Sequence, residues 1–224
     1  MIDRYSLSVP ADKLSKHSGN LPLKGYNRSY NIHPLKKASI CINQGDKPTI
    51  VQGIWGLLPH FSKEMVNRGN LYNAYFDGVA SKPSFRIPIR QRRCLIPADS
   101  YYIKHENQWY RIMKRDRSVM LLAGLYDIVQ LEKHQYLSFT MMTVPPNRDL
   151  ALLEQHMPIA MCPKSEQDWL NPETPLNEVI AMLKCSDNYQ WIHYPIKDTL
   201  ELDKYDAPDI HDEFMVERTL FNLA

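Results

Sequence analysis

The chain has 224 residues, of which 44% are hydrophobic, and a formal net charge of +2. This length suits one large domain, and four widely spaced cysteines without a CxxC pair argue against a zinc ribbon or a disulfide framework. The first twenty residues lack the apolar core of a signal peptide, and no apolar run approaches transmembrane length. We therefore expect a single domain over residues 1–224 in a cytoplasmic protein that is not bound to a membrane.

The first third of the chain reads mainly as short strands. The predicted strands cover Arg4–Leu7, residues 30–34, 38–42 and 49–58. Ser8 and Pro10 are typical of a helix start and predict a helix through Lys16, and a second short helix is predicted over residues 62–70. Gly56, inside an apolar strand, indicates a bulge or the close approach of another backbone or a ligand.

The stretch from Arg90 to Tyr102 is the most informative part of the sequence. Its apolar segment Cys94–Ala98 predicts a buried strand that enters a turn at Asp99 and Ser100. A basic cluster without any acidic residue precedes it, with Lys82 and Arg93 at its two ends. A positive surface beside a buried strand makes an anionic partner the first hypothesis.

The second half of the chain adds longer strands and then helices. Residues 108–113 and 119–129 predict a hairpin, residues 136–144 another strand, and residues 148–155 a short helix. The apolar spacing from Leu176 to Leu183 predicts a helix that lies on the core. Strands that follow one another with few helices between them favour an antiparallel or mixed, strongly curved sheet over a doubly wound parallel one.

The C-terminal segment, residues 198–224, differs in charge from the rest. From Asp198 to Glu217 it carries eight acidic residues and one lysine, which leaves 26 basic and 17 acidic residues, a net charge of +9, for the remainder. A basic body suits phosphate backbones. We expect the acidic segment to wrap irregularly over the surface as a solvated face, rather than to act as an internal mimic of nucleic acid.

Several kinds of site lack support. The eight histidines are scattered, so no metal site is expected, and the absence of glycine-rich phosphate-binding motifs and of a GxSxG elbow gives no reason to expect a cofactor or an esterase site. A cysteine hydrolase that pairs Cys94 or Cys162 with His156 stays open as a remote alternative. Both cysteines lie in apolar sequence, where an inert buried thiol is the commoner case.

A series of short blocks in this sequence resembles the SOS-response-associated peptidase family. In chain order the blocks are Arg4-Tyr5, residues 53–59, Asn73-Ala74, residues 82–86, residues 92–99, residues 123–126, Thr143 with Asn147, Met157-Pro158 and residues 168–170. Each block alone is weak evidence, whereas their common order covers most of the chain.

The resemblance implies both a fold and a chemistry. It implies an α+β class, as a single domain with a strongly curved, barrel-like, mainly antiparallel sheet flanked by helices, and recognition of abasic sites in single-stranded DNA. In that family the initiator methionine is removed and an N-terminal cysteine captures the ring-opened sugar as a thiazolidine. Its amine forms an imine with the aldehyde, its thiolate closes the ring, and neighbouring Asn, Glu and His side chains hold the sugar and move protons.

This sequence departs from the family at most of those positions. The register set by Arg4 puts Ile2 at the cysteine position, and a bulky residue there predicts that Met1 is retained. Ile103 stands where the family has its glutamate, and Glu154 stands where it has its histidine, with His156 in place of an arginine. Of the four catalytic positions only Asn73 matches. The family's crosslinking and self-cleaving peptidase activity is therefore expected to be absent or very weak.

Binding of single-stranded DNA is the property that these losses leave intact. Candidate DNA contacts are Arg4, Pro34, Trp55, Tyr75, Arg86, Arg92 and Arg93, with arginines for phosphates and aromatic rings for bases. Two hypotheses follow. The favoured one is a catalytically degenerate DNA-binding member of the family. The alternative is an active member that attacks abasic sites through the Met1 amine or through a relocated acid or base such as Glu154.

Overall fold

The computed structural model describes residues 1–10, 27–45, 47–64, 71–184 and 189–214. The strands there are β1 Arg4–Leu7, β2 Ser29–Ile32, β3 Lys37–Gln44, β4 Lys47–Trp55, β5 Asn73–Tyr75, β6 Arg93–Ala98, β7 Ser100–His105, β8 Gln108–Lys114, β9 Met120–Leu131, β10 His134–Val144, β11 Met157–Pro158 and β12 Trp191–Ile196. The α-helices there are short: α1 Pro88–Gln91, α2 Glu166–Leu170 and α3 Leu176–Met182. None of the helices within these ranges is long and apolar enough to cross a membrane.

Five of the strands close into a mixed barrel. β3 pairs antiparallel with β4 and β6, β6 pairs antiparallel with β9, and β9 pairs antiparallel with β10. A parallel pairing of β10 with β4 completes the circle. The prediction of an α+β domain with a barrel-like, mainly antiparallel sheet is confirmed. Four of the five barrel pairings are antiparallel, and the helices lie outside the barrel.

The remaining long strands form a second, five-stranded antiparallel sheet in the order β12-β8-β7-β1-β2. The N-terminal strand β1 therefore lies inside this sheet, with Tyr5 opposite Tyr101 and Ile32. This central position fixes the first residues of the chain, since β1 is hydrogen-bonded on both sides.

Asp99 is the single residue between β6 of the barrel and β7 of the second sheet. One of its carboxylate oxygens accepts hydrogen bonds from the Ser8 amide (2.6 Å), the Ser8 hydroxyl (2.5 Å) and the Val9 amide (3.1 Å), and the other accepts from Ser6. Burial acts to raise the pKa of Asp99, but the hydrogen bonds from Ser6 and Ser8 hold it below its usual value. The predicted turn at this point is thus a one-residue junction between two sheets.

The barrel interior is closely packed around Gly124 of β9. A Cβ on Gly124 of β9 would lie 2.8 Å from both the Cys94 sulfur and the Ile96 Cδ1. Such distances are below van der Waals contact, so a larger residue would require the Cys94 and Ile96 side chains to shift. Gly56, directly after β4, has φ +128°, a backbone conformation that favours glycine.

Two local predictions were wrong. Residues 108–113 and 119–129 do not form a hairpin, because β8 pairs with β7 and β12, whereas β9 pairs with β6 and β10. Residues 148–153 form turns rather than a helix. The predicted helix through Lys16 and most of the one over residues 62–70 lie outside the described residues, whereas the helix predicted after Pro175 is confirmed as α3.

Candidate functional site

The peptide between Ile2 and Asp3 is held by Asn73. The side-chain amide of Asn73 donates a hydrogen bond of 2.6 Å to the carbonyl oxygen of Ile2. Asn73 lies on the short strand β5, which pairs in parallel with β10 and is fixed by it. The carbonyl oxygen of the Asn73 side chain is buried and has no hydrogen-bond partner among the described residues. Asn73 therefore positions the chain terminus and keeps one acceptor unused.

Ile2 and Met1 have opposite environments. The Ile2 side chain belongs to the main hydrophobic core and is 1% exposed, whereas Met1 is 80% exposed. The buried isoleucine anchors the chain next to Asn73, and the methionine and its α-amine remain accessible. No thiol is present at this position, since the side chain that points inward is a hydrocarbon.

Glu154 faces the N-terminus from the segment that follows β10. The Tyr101 hydroxyl donates a hydrogen bond of 2.5 Å to one of its carboxyl oxygens, and the other oxygen is buried without a partner among the described residues. Burial raises the pKa of Glu154 to about 8, and the Tyr101 hydroxyl and the positive Met1 amine lower it only in part. Glu154 is therefore mainly protonated near neutral pH and can donate a proton.

Tyr101 and Ile103 both lie on strand β7, and only Tyr101 brings a polar group to Glu154. Side chains two residues apart on a strand point to the same face, so Tyr101 and Ile103 of β7 project to one side. Ile103 is an apolar part of the cavity wall, whereas the Tyr101 hydroxyl meets Glu154. The sequence indicated Ile103 and Glu154 but not Tyr101. The signal for Tyr101 is strand alternation, because it lies two residues before Ile103 on the same strand.

A cavity of about 410 Å³ adjoins these residues. Its lining includes Met1, Ile103, Lys104 and Glu154 together with residues 151–153. This volume lies within the range of pockets that hold small molecules. An accessible amine, a protonated carboxyl group and a lysine thus share one opening.

His156 and Tyr75 form the adjacent edge of the site. Their rings meet edge to face with centroids 4.8 Å apart. Burial lowers the pKa of His156, and the positive charge of the Met1 amine lowers it further. The lowered pKa favours the neutral imidazole of His156 beside the positive Met1 amine. Tyr75 is only partly buried, so part of its surface can contact a ligand.

Arg4 lies on the rim but is already engaged. Its guanidinium donates to the Asn31 side chain at 3.1 Å and to the Asp203 carboxylate at 2.8 Å. The neighbouring loop holds Pro34, whose carbonyl oxygen lies 2.9 Å from Nδ1 of His33. Arg4 therefore sits beside a carboxylate of the C-terminal segment, and Pro34 stays a predicted contact.

Two of the predicted DNA contacts, Trp55 and Arg93, are buried side chains and not surface residues. Trp55 is completely buried, donates from its indole nitrogen to the Tyr72 carbonyl at 2.9 Å and packs edge to face against Tyr5. Arg93 is 2% exposed, and its guanidinium donates to the carbonyl oxygens of Trp169, Ile89, Arg90 and Asn171. Trp55 is a core residue and Arg93 ties α1 and α2 together, so neither side chain is at the surface where DNA contacts were predicted.

Arg86 and Arg92 differ in their exposure and in their ion pairs. Arg86 is exposed, and its carbonyl oxygen accepts a hydrogen bond from Arg90. Arg92 is partly exposed and forms an ion pair with the buried Asp127, which also accepts from His60 at 3.0 Å. Both residues flank α1. The Arg86 side chain faces solvent, whereas the Arg92 guanidinium is partly exposed and paired with Asp127.

The described residues contain no group of three or more His, Cys, Asp or Glu side chains placed to hold a metal ion. Cys94 is fully buried in the barrel wall, and burial raises the pKa of its thiol well above the usual value. A thiol in that state cannot serve as the nucleophile of a Cys94–His156 pair.

Comparison with known proteins is consistent with this geometry. The family model for SOS response associated peptidases (SRAP) matches residues 1–201. The abasic site processing protein YoqW of Bacillus subtilis is 28% identical over 202 residues, covering 85% of this chain and 88% of its own length. YobE of the same species, also named an abasic site processing protein, is 30% identical over 164 residues, covering 68% of this chain and 73% of its own.

Solved structures share the fold. A crystal structure of a protein from Bacteroides thetaiotaomicron superimposes with a TM-score of 0.78 at 23% identity and covers 95% of this chain and 99% of its own. A phage-related protein of Bordetella bronchiseptica has a TM-score of 0.69 at 20% identity, covering 87% of this chain and 94% of its own. The family model over residues 1–201 and the similarity to the abasic site processing proteins show that this chain belongs to the SOS response associated peptidase (SRAP) family.

Proposed function

We propose that this protein binds abasic sites in single-stranded DNA reversibly at its N-terminus and does not form the thiazolidine crosslink. The observation that carries the proposal is the buried Ile2, which occupies the nucleophile position while Asn73 still holds its carbonyl oxygen. The relatives YoqW and YobE are named abasic site processing proteins, which supports the same class of DNA as the ligand.

The described cysteines do not supply a substitute thiolate. Cys41 and Cys94 are both buried in barrel strands, and burial raises the pKa of Cys41 to about 12. Cys162, the other cysteine in the described ranges, lies beyond β11 and outside the set of residues that line the cavity. A thiazolidine needs an amine and a thiol on adjacent atoms of one residue, and Met1 offers the amine alone.

The cavity supports recognition of the sugar at an abasic site. A missing base leaves room for a protein group to approach the deoxyribose, and the cavity beside Met1 presents Glu154 as a hydrogen-bond donor and Lys104 as a cation. Tyr75 offers a partly exposed ring for an adjacent base. Arg4 and Arg86 remain the candidate phosphate contacts.

A second candidate function rests on Glu154. The Met1 amine, once it has released its proton to water, can attack the ring-opened aldehyde and form a carbon–nitrogen bond. The carbinolamine hydroxyl then leaves as water with a proton from the Glu154 carboxyl, and the resulting iminium returns a proton to the Glu154 carboxylate as it becomes the neutral imine. This step needs a protonated acid near pH 7, which the raised pKa of Glu154 supports. The product would be a hydrolysable imine, and without a thiol it would not close into a stable ring.

Equilibrium binding measurements test whether the protein recognises abasic sites at all. Fluorescence anisotropy is measured with two labelled single strands of the same sequence, one with a single abasic site and one without. The proposal predicts tighter binding to the abasic strand and complete release by excess unlabelled abasic strand. Equal affinity for the two strands would contradict it.

Chemical trapping then tests the imine. Sodium cyanoborohydride reduces an imine to a stable amine, so a covalent band that forms only with the reductant establishes the second candidate. Glu154→Gln should reduce the yield of that band, while Glu178→Gln on the exposed start of α3 should not. Absence of a band with the reductant leaves reversible binding as the function.

A further inference from the structure

The acidic C-terminal segment lies across the edge of the candidate site. Residues 198–214, here called the strap, carry seven acidic residues and one lysine. The strap contains two 3-10 turns, Asp198–Glu201 and Pro208–His211, and returns to the second sheet where the Phe214 amide donates to the Pro195 carbonyl at 2.8 Å. The family match ends at residue 201, so most of the strap lies beyond it.

Three carboxylates of the strap pair with three cations of the body. Asp203 accepts from Arg4 at 2.8 Å, Asp206 accepts from Lys36 at 2.9 Å, and Glu201 pairs with Lys104. The cations come from β1, from the turn before β3 and from β7. One continuous acidic segment thus covers basic side chains from several elements.

One of these cations lines the cavity beside the N-terminus, and another lies on the same face of the second sheet. Lys104 is part of the cavity lining together with Met1 and Glu154. Arg4 follows Met1 by three residues and opens β1, opposite Tyr102 of β7. Glu201 and Asp203 therefore neutralise one cation of the cavity lining, Lys104, and one cation of the same sheet face, Arg4.

The strap is anchored by contacts that are separate from these ion pairs. Leu200 and Ile210 are fully buried and share an apolar cluster with Tyr102 and Trp109. The Asn31 side-chain amide donates to the Tyr205 carbonyl at 3.0 Å. By contrast, the Asp203 side chain is 64% exposed. Exposed ion pairs are individually weak and screened by salt, so phosphates can replace the carboxylates while the apolar anchors stay in place.

We propose that the face under the strap, with Arg4 and Lys104 at its centre, is part of the single-stranded DNA interface and that the strap competes with DNA phosphates for it. This inference rests on the proposed function, since it assigns a role to the surroundings of the same site. It replaces the expectation of a merely solvated acidic face. DNA binding would break the Arg4–Asp203 and Lys104–Glu201 pairs and form Arg4–phosphate and Lys104–phosphate pairs.

The test removes the two competing charges and keeps the shape of the strap. The variant Glu201→Gln/Asp203→Asn retains hydrogen-bonding side chains and the buried anchors. Its control, Glu132→Gln/Glu173→Gln, makes the same change in net charge at exposed positions outside the strap. Anisotropy is measured for undamaged and abasic single strands over a range of salt concentrations, and thermal melting verifies that each variant is folded.

The strap variant should bind both strands about three- to ten-fold more tightly at low salt, and the control should change affinity by less than about two-fold. The gain should shrink as the salt concentration rises, since both the ion pairs of the strap and its repulsion of phosphates are screened by salt. Adding Arg4→Gln to the strap variant should remove most of the gain. Equal effects of the strap variant and its control, or no gain in either, would overturn the proposal.

The same data distinguish this inference from the proposed function. A preference for the abasic strand without any gain in the strap variant would refute the competition and support the function. A gain on both strands without a preference for the abasic strand would support the competition and refute the function. Absence of binding by all the proteins at low salt would refute both.

Discussion

The Ile2 side chain is buried beneath the chain terminus, and Asn73 holds its carbonyl oxygen at 2.6 Å. A cysteine is smaller than isoleucine, so it fits this position without displacing neighbours. Its amine would then be the chain terminus, one residue from the Met1 amine whose positive charge lowers the pKa of Glu154. The groups needed for imine formation are present, and the group needed for ring closure is not.

Ile2→Cys should therefore gain a heat-stable crosslink to abasic single-stranded DNA. The substitution also leaves a small void in the core and should lower the free energy of unfolding by about 1–2 kcal/mol. Ile2→Ser is the matched control, since its small side chain also permits removal of Met1 but offers no thiol. Denaturing gels compare the two variants, and a crosslink in neither would mean that other parts of the site have lost the chemistry.

Glu154 makes the stability of the protein depend on pH. Its pKa is raised to about 8 in the folded state, so the folded protein holds a proton that the unfolded chain releases near pH 4.5. This stabilisation is fully present below the unfolded pKa and is lost as pH rises through the folded pKa. The free energy of unfolding should fall by on the order of 3 kcal/mol between pH 5 and pH 8 from this group.

Glu154→Gln should flatten that part of the pH dependence, as measured by urea denaturation at a series of pH values. A residual slope of the same sign is expected from Glu166, because burial raises its pKa to about 7. Glu178→Gln, at an exposed position, should keep the wild-type profile. If the profile of Glu154→Gln equals that of the wild type, the carboxyl group is not buried in the way described.

At the scale of elements, the junction of β6 and β7 joins the barrel to the sheet that carries the N-terminus. Asp99 holds this junction by accepting hydrogen bonds from Ser6, Ser8 and Val9, which lie on or just after β1. The same carboxylate therefore fixes the direction in which the chain leaves the C-terminal end of β1. Damage here should affect both stability and the site.

Asp99→Ala should lower the free energy of unfolding by about 2–4 kcal/mol at pH 7, because buried donors lose a charged acceptor. The pKa of Asp99 is held below its usual value, so its contribution is present above the unfolded pKa and is lost as pH falls through the folded pKa. The difference between wild type and variant should thus shrink in acid. Asp77→Ala, at an exposed position, serves as control, and an equal effect of the two substitutions would refute the role of Asp99.

At the scale of the whole molecule, the barrel and the strap differ in how they are held. The barrel strands are paired on both sides and enclose the main core, whereas the strap is held by a small apolar cluster, a few hydrogen bonds and surface ion pairs. Elements with few buried contacts open at lower free energy than the core.

Hydrogen exchange should show this difference directly. Strap amides with internal hydrogen bonds, such as that of Tyr205, should exchange roughly ten-fold or more faster than barrel amides such as that of Ala123. Mass spectrometry of peptic fragments can measure both. Equal protection in the two regions would show that the strap opens only with global unfolding, and would weaken its role as a displaceable competitor.

The predictable part of this molecule was its local pattern and its family blocks. Alternating or apolar runs located most strands, and the blocks around residues 53–59 and 92–99 identified the curved sheet. The partners of the strands were harder, because β8 and β9 are adjacent in sequence but pair in different sheets. Adjacent apolar runs favour a hairpin, and only long-range pairing decides otherwise.

Burial and long-range contacts limited what could be predicted of the site. Trp55 and Arg93 have the residue types of a DNA interface, yet the first fills the core and the second bonds to four carbonyl oxygens. The pairing of Tyr101 with Glu154 joins residues 53 positions apart. The position of the acidic segment over Arg4 and Lys104 likewise depends on the whole fold, although its charge was plain in the sequence.

The most direct measurement is a denaturing gel of the wild-type protein after incubation with a single-stranded oligonucleotide that contains one abasic site, without any reductant. The expected result is free oligonucleotide with no heat-stable protein–DNA band, although the same mixture shows binding by anisotropy. A heat-stable shifted band would contradict the loss of the crosslink and show that a group other than an N-terminal cysteine captures the sugar.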